Sequence, residues 1–479
     1  MTSREMARLN KHSVVILVAD GVRPDTLAAS MGAGEAPALA RLASEGGMHV
    51  VSSVFPSVTG PAYAPFLMGR YPGPIGLPGI RWYDREASAK SILPRARSYV
   101  GSEIRKVDRD IDAAAPTLFE LSESNVAALS VIGRGLRARD REGHSIRFGL
   151  RAARVHFTGN VRGWLAIDRD IGARVAERVR TERPRVAFCA LTGIDKTSHS
   201  QGHDSPVVRD AIRRVDETAA RIRDDAEQDG RWDDMHLWIV SDHGHSPVRA
   251  HEDLAGVIAS WKLGVIAHPW IYGAGRDVAV MVSGNAMAHL YLDLASRSHA
   301  RAPWTSLEQK WGWLAERLLE RDSVDLLLIP IDGSACEVRA RGRGTARISL
   351  ENGRYSYRPL TGDPLAIGAH ESISHDDAHD VTASSDYPDA IVQIAHLAAS
   401  ARCGEIMLSA SRNWDYRAKW EPIPHVSSHG ALHREHMHVP LLVNRPVSGV
   451  PRRTVDVMPS ALTALGIAVP EGLDGRSFL

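Results

Sequence analysis

The sequence predicts an α/β protein: a doubly wound, mostly parallel sheet with helices on both faces, carrying an inserted α+β cap. Three observations lead there. Short apolar runs rich in β-branched residues alternate with helix-length segments, the pattern of a sheet buried on both sides. Several of those runs end in Asp, His or Gly, the chemistry expected at the C-terminal edge of such a sheet. The alternation breaks near residue 265 and resumes near 386.

The strand-like runs are 14–19, 127–132, 185–191, 235–240, 405–409 and 439–443. The helical segments between them are 37–45, 163–182, 205–228, 386–400 and 455–466. This gives a core in two parts, 1–264 and 386–479, with 265–385 inserted as a cap or lid beside the site. Inside the insert a long helix is expected around 306–321, an apolar strand at 324–330 and a hairpin at 345–359. Asn352-Gly353 is the turn signal of that hairpin. The loop from about 73 to 115, with Arg81, Trp82, Tyr83, Arg95 and Arg97, is a second rim element.

The strand ends carry the chemistry. The run 14–19 opens into Asp20-Gly21. The run 185–191 opens into Asp195, with His199 four residues on. The run 235–240 opens into Ser241-Asp242-His243-Gly244-His245. His425-Val426-Ser427-Ser428-His429-Gly430 precedes the run 439–443. Any one of these residues alone reads as a turn former, a cap or an ordinary histidine. Together, Asp20, Asp195, His199, Asp242, His243 and His429 are enough ligands for two metal ions with open positions. The mixed Asp/His set favours zinc and leaves manganese or iron open. His203, His245, His433, His436 and His438 are left as structural or surface histidines. Thr59, in Phe55-Pro56-Ser57-Val58-Thr59-Gly60-Pro61, is either a helix N-cap or a hydroxyl beside a phosphate site. A free threonine is a poor nucleophile, and coordination to a metal makes its attack feasible.

In this order the segments resemble the type I phosphodiesterase/nucleotide pyrophosphatase branch of the alkaline phosphatase superfamily. Met68-Gly69-Arg70-Tyr71-Pro72 and Gly76 match the segment after the nucleophile. Residues 454–460 and Leu473-Asp474-Gly475-Arg476-Ser477 resemble the last helix and tail. The likeness covers roughly 13–255 and 400–479. It implies one metal on Asp195, His199 and His429. It implies a second on Asp20, Asp242 and His243, with Thr59 as the nucleophile that becomes phosphorylated. The substrate is then a small phosphodiester or phosphoanhydride.

The chain departs from the family at one place. The asparagine that helps bind a phosphate oxygen falls on Ile80, which cannot donate a hydrogen bond. Arg81 is the expected replacement, with a surface arginine as the alternative. The rival readings are a phosphomonoesterase, a phosphonoacetate hydrolase-like C–P hydrolase, and a phosphate- or metal-binding relative without turnover. A sulfatase needs Cys or Ser where Thr59 stands.

The remaining composition is that of a globular enzyme. Hydrophobic residues make up 44% and charged residues 24%, and the net charge is +1, which gives no global case for nucleic-acid or membrane partners. Local charge differs: seven arginines fall between Arg134 and Arg154, either a solvated face or a guide for an anionic substrate. The first ten residues have no apolar h-region, and no run is long enough to span a membrane. Three scattered cysteines suggest neither a disulfide framework nor a cysteine zinc site. Cytoplasmic residence is the expectation, and a homodimer stays open.

Overall fold

A computed structural model describes residues 12–269, 277–417 and 425–479. The N-terminal segment read above for a leader lies outside the described residues. The first sheet has the strand order Met48–Ser52, His438–Val443, Met235–Val240, Ser13–Ala19, Val186–Leu191, Asn125–Ala128, Arg141–Glu142. The central pairings are parallel, and the strand His438–Val443 runs antiparallel to both its neighbours. Side chains alternate across this sheet. Val14, Ile16 and Val18 enter one apolar cluster, while Val15, Leu17 and Ala19 enter the other. The helices Val161–Glu182 and Pro206–Gln228 cover the second face, and Ala64–Met68 and Val457–Ala464 cover the first. That double covering is why the central runs carry no polar alternation.

Register brings the strand ends level. Ala19 pairs with Leu191 and Val18 with Val240, so Asp20, Asp195 and Asp242 leave the sheet at one edge. The run expected at 127–132 makes a strand only over Asn125–Ala128 and ends at Leu129, whose φ is 53°.

The inserted region is larger in architecture than a lid. It forms a second sheet of nine strands among the described residues, mostly antiparallel. The helix Trp304–Leu319, the strand Val324–Pro330 and the hairpin Gly344–Glu351/Arg354–Gly362 appear as expected, with Asn352 and Gly353 both at positive φ in the turn. The sequence boundary at 385/386 does not separate the two sheets. The strand Ile406–Ala410, read with the core, lies inside the second sheet between Met287–Leu292 and Val324–Pro330. The helix Ala390–Ala398 packs on one face of that sheet and Trp304–Leu319 on the other. The physical reason is burial: Ile406 and Leu408 complete one apolar cluster, and Met407 the other.

The second sheet also reaches the site edge of the first. Ala286 N–H donates to the His429 carbonyl (3.0 Å), and Ser428 Oγ donates to the Gly284 carbonyl (3.2 Å). No helix among the described residues is long and apolar enough to cross a membrane.

Candidate active site

Each ligand candidate sits where a strand stops. Asp20 follows Ser13–Ala19 directly, and Gly21 turns the chain at φ 81°. A Cβ on Gly21 would lie 3.0 Å from the His245 ring and 3.2 Å from Asp195 Cα, so only glycine lets the segments close up. Asp195 and His199 lie one turn apart on the helix Gly193–Gln201. That helix is anchored by Asp168, whose carboxylate accepts from the N–H groups of Thr192 (3.1 Å) and Gly193 (2.7 Å). Here too the approach needs glycine, since a Cβ on Gly193 would meet Asp168 Oδ2 at 2.4 Å.

The structure brings all six predicted ligands together, with Thr59 beside them. Thr59 Oγ1 is 3.3 Å from Asp20 Oδ1 and 3.2 Å from His243 Nε2. The short helical turn after it is capped by Gly60 without a side-chain bond, so Thr59 is not an N-cap. His243 Nε2 also stands 3.4 Å from Asp20 and 3.5 Å from Asp242 Oδ2. Asp20, Asp242 and His243 thus form one group of converging donors, all buried.

The other group centres on Asp195 Oδ1. Around it lie His245 Nε2 at 3.0 Å, His199 Nε2 at 3.2 Å and His429 Nε2 at 3.5 Å. Three histidines use Nδ1 as a donor to a backbone carbonyl: His199 to Ser427 (3.0 Å), His429 to Ser57 (2.9 Å) and His243 to Gly244 (3.1 Å). Those bonds set the tautomer and leave Nε2 lone pairs facing carboxylate oxygens. The His243 and His429 rings stack in parallel at 3.6 Å.

Electrostatics make the same point. Burial, then the charges of Asp242 and Asp195, push the Asp20 carboxyl well above its usual range. Burial likewise raises Asp242, partly offset by His243. Asp242 Oδ2 has no hydrogen-bond partner. Burial alone would raise Asp195, but the Lys196 ammonium at 2.7 Å and His199 outweigh it and hold the group well below its usual range. Burial pushes His245 down to about 3. Three carboxyl groups and four imidazoles facing one another in a dry pocket are unfavourable unless cations sit between them. This donor set fits divalent metal ions.

Two members escaped the sequence reading. His245 stands with Asp195, His243 and His429 in one possible ligand group. Its signal was its place two residues after His243, at a strand end. Lys196 carried only the signal of adjacency to Asp195. His433 and His436 are structural: His433 Nε2 donates to the Ala410 carbonyl, and His436 bonds Ser246 Oγ and Ala431 N.

Arg81 lines a hollow of its own. It opens the strand Arg81–Tyr83, paired with Ala96–Ser98, and shares the hollow with Asp253, His268, Val282 and Tyr416. None of the residues around that hollow belongs to the Asp/His cluster. Ile80 packs against the core. The tail that resembles the superfamily's closing segment locks the turn after the Thr59 helix: Asp474 accepts from Tyr71 N–H (2.8 Å) and donates its own N–H to Gly69 O (2.9 Å).

Residues 14–433 match the sequence profile of the type I phosphodiesterase/nucleotide pyrophosphatase family. A comparison with curated protein sequences gives no significant match. Among solved structures, phosphonoacetate hydrolase from Sinorhizobium meliloti 1021 with phosphonoformate superposes with a TM-score of 0.57 at 16% identity, covering 95% of this chain and 96% of that one. Murine ectonucleotide pyrophosphatase/phosphodiesterase 5, as an inactive variant with AMP, gives 0.57 at 14% identity, covering 97% of each chain. The human counterpart gives 0.58 at 13% identity, again covering 97% of each chain. At these identities the structures show the shared fold, and the profile match over most of the chain shows the family. The chain belongs to the type I phosphodiesterase/nucleotide pyrophosphatase family and is a phosphoric ester hydrolase.

Proposed function

We propose that this chain hydrolyses phosphodiester or phosphoanhydride bonds of small molecules, with Thr59 as the nucleophile that carries the phosphoryl group between two displacements. The observation that supports this most is the Thr59 hydroxyl, half-buried and poised at hydrogen-bond distance from both Asp20 and His243. Asp20, Asp242 and His243 would hold one divalent cation beside Thr59. Asp195, His199 and His429 would hold the other, with His245 buttressing Asp195. Zinc suits the mixed nitrogen and oxygen donors, with manganese or iron as alternatives. When bound, the two cations neutralise the phosphate oxygens and lower the pKa of the attacking hydroxyl.

The chain's own residues do the rest. The loop Ser57–Gly60 holds Thr59 Oγ1 in line for attack at phosphorus. The Thr59 oxygen forms the new P–O bond as the bond to the leaving alcohol or phosphate breaks, and the electron pair departs with that oxygen. Water then displaces Thr59 and releases the phosphorylated half of the substrate. Lys196, held at Asp195, is a fixed positive charge at the rim that favours an anionic substrate. Three buried free cysteines suit a reducing, cytoplasmic compartment.

The test is kcat/KM of the zinc-loaded enzyme on matched p-nitrophenyl esters. A phosphodiester should be preferred to the monoester by at least about tenfold. A preference for the monoester, or for a phosphonate over both, overturns this reading.

A further inference from the structure

The helix Ile146–Phe157 has two apolar faces, and only one of them has a partner. Phe148, Ala152 and Val155 face inward and pack on the sheet's second apolar cluster. Ile146, Leu150, Ala153 and Phe157, spaced four, three and four residues apart, form a ridge on the opposite side. Ile146 is 76% exposed, Leu150 68% and Phe157 75%. No other helix among the described residues leaves three large apolar side chains so open. A ridge of this kind is unfavourable in water unless something covers it.

Its charge says what covers it. Arg147, Arg151 and Arg154 run along one flank of the ridge. Arg151 reaches Asp170 at 2.7 Å. No carboxylate of the described residues lies within ion-pair distance of Arg147 or Arg154. At the start of the same helix is a hollow of about 370 Å³ lined by Arg141, Arg147, Arg151, Arg174 and Glu142, in which Arg141 pairs with Asp108 (3.5 Å) and Arg174 with Glu142 (3.7 Å), and Arg147 has no carboxylate among the described residues. Antiparallel pairing with a second copy about a two-fold axis would set this basic flank against itself. An anionic surface is complementary to it. Apolar anchors flanked by arginines are the make-up of a helix that lies in the headgroup region of a bilayer.

The helix packs against Val161–Glu182, whose Asp168 in turn anchors the start of the helix that carries Asp195 and His199.

We propose that the helix Ile146–Phe157 docks the enzyme on an anionic lipid bilayer, with Ile146, Leu150 and Phe157 entering the interface and the arginine flank engaging headgroup phosphates. The docking does not depend on the hydrolase reading above.

The experiment is co-sedimentation of the full-length, metal-loaded protein with vesicles. One set is pure phosphatidylcholine, and the other is equal parts phosphatidylcholine and phosphatidylserine. Wild type should partition onto the anionic vesicles and not the neutral ones, and high salt should weaken the partition. The triple variant Ile146→Ser/Leu150→Ser/Phe157→Ser should lose at least about tenfold in partition. The variant Arg147→Glu/Arg154→Glu should lose roughly thirtyfold or more. Both should keep wild-type kcat/KM on the soluble p-nitrophenyl diester, which shows that they fold and separates docking from chemistry. Failure of wild type to sediment with anionic vesicles overturns the proposal, as does binding that neither variant weakens. A wild-type dimer that the triple variant dissociates, with no vesicle binding, would make the ridge a contact between copies. If docking holds but no diester is hydrolysed, the reading of the reaction fails and the docking stands.

Discussion

Asp195 Oδ1 has three imidazole nitrogens within 3.5 Å. The six ligands of the sequence reading were legible because each follows a strand-like run, and a sheet edge collects whatever its strands end in. His245 was not legible. Whether a histidine two residues beyond a ligand points inward depends on how closely its neighbours approach, and here Gly21 is what makes room. Arg81, placed by the chain as a candidate phosphate contact, opens a strand paired with Ala96–Ser98 beside a hollow lined by His268 and Tyr416. Because His245 braces Asp195 from within the cage, His245→Phe should weaken metal affinity about tenfold to a hundredfold, read by competition with a chelator. Unchanged affinity would make His245 a bystander.

Two anchors at the scale of elements hold the site's frame. The Arg453 guanidinium makes a buried two-point bond to Asp389, at 2.8 and 2.9 Å, tying the start of the helix Ala390–Ala398 to the C-terminal segment. Burial works against the Asp389 charge, but Arg453 overcomes it and keeps the carboxyl below its usual range. Arg453→Met leaves that carboxylate buried without its counter-charge, held only by the Gln393 amide at 2.7 Å, and should lower stability by about 3–5 kcal/mol in urea unfolding. Adding Asp389→Leu should recover much of the loss; a double variant no more stable than the single contradicts this account. The other anchor is Asp168, which burial pushes up to about 7 despite its two backbone donors. A raised folded-state pKa means a stabilising contribution that is full below the unfolded value near 3.9 and lost as pH rises through about 7. The stability gap between wild type and Asp168→Asn should therefore shift toward the variant between about pH 4 and pH 7. A gap that does not move with pH removes Asp168 as a titrating group. The individual strands and helices were legible from their periodicity. Sheet membership was not, because an apolar run such as Ile406–Ala410 does not encode which apolar partners it will find.

For the molecule as a whole, two sheets meet at one edge. The first supplies Asp20, Asp195 and Asp242 through level strand ends, and the second holds the loop of His429 through Gly284 and Ala286. In the proposed reaction, turnover passes through Thr59 in two displacements at phosphorus. The most direct measurement is the stereochemical course of hydrolysis of a chiral thio-substituted phosphodiester in isotopically labelled water. Each in-line displacement inverts phosphorus, so two of them predict net retention. Net inversion would mean that water attacks the substrate directly, and Thr59 would lose its role as nucleophile.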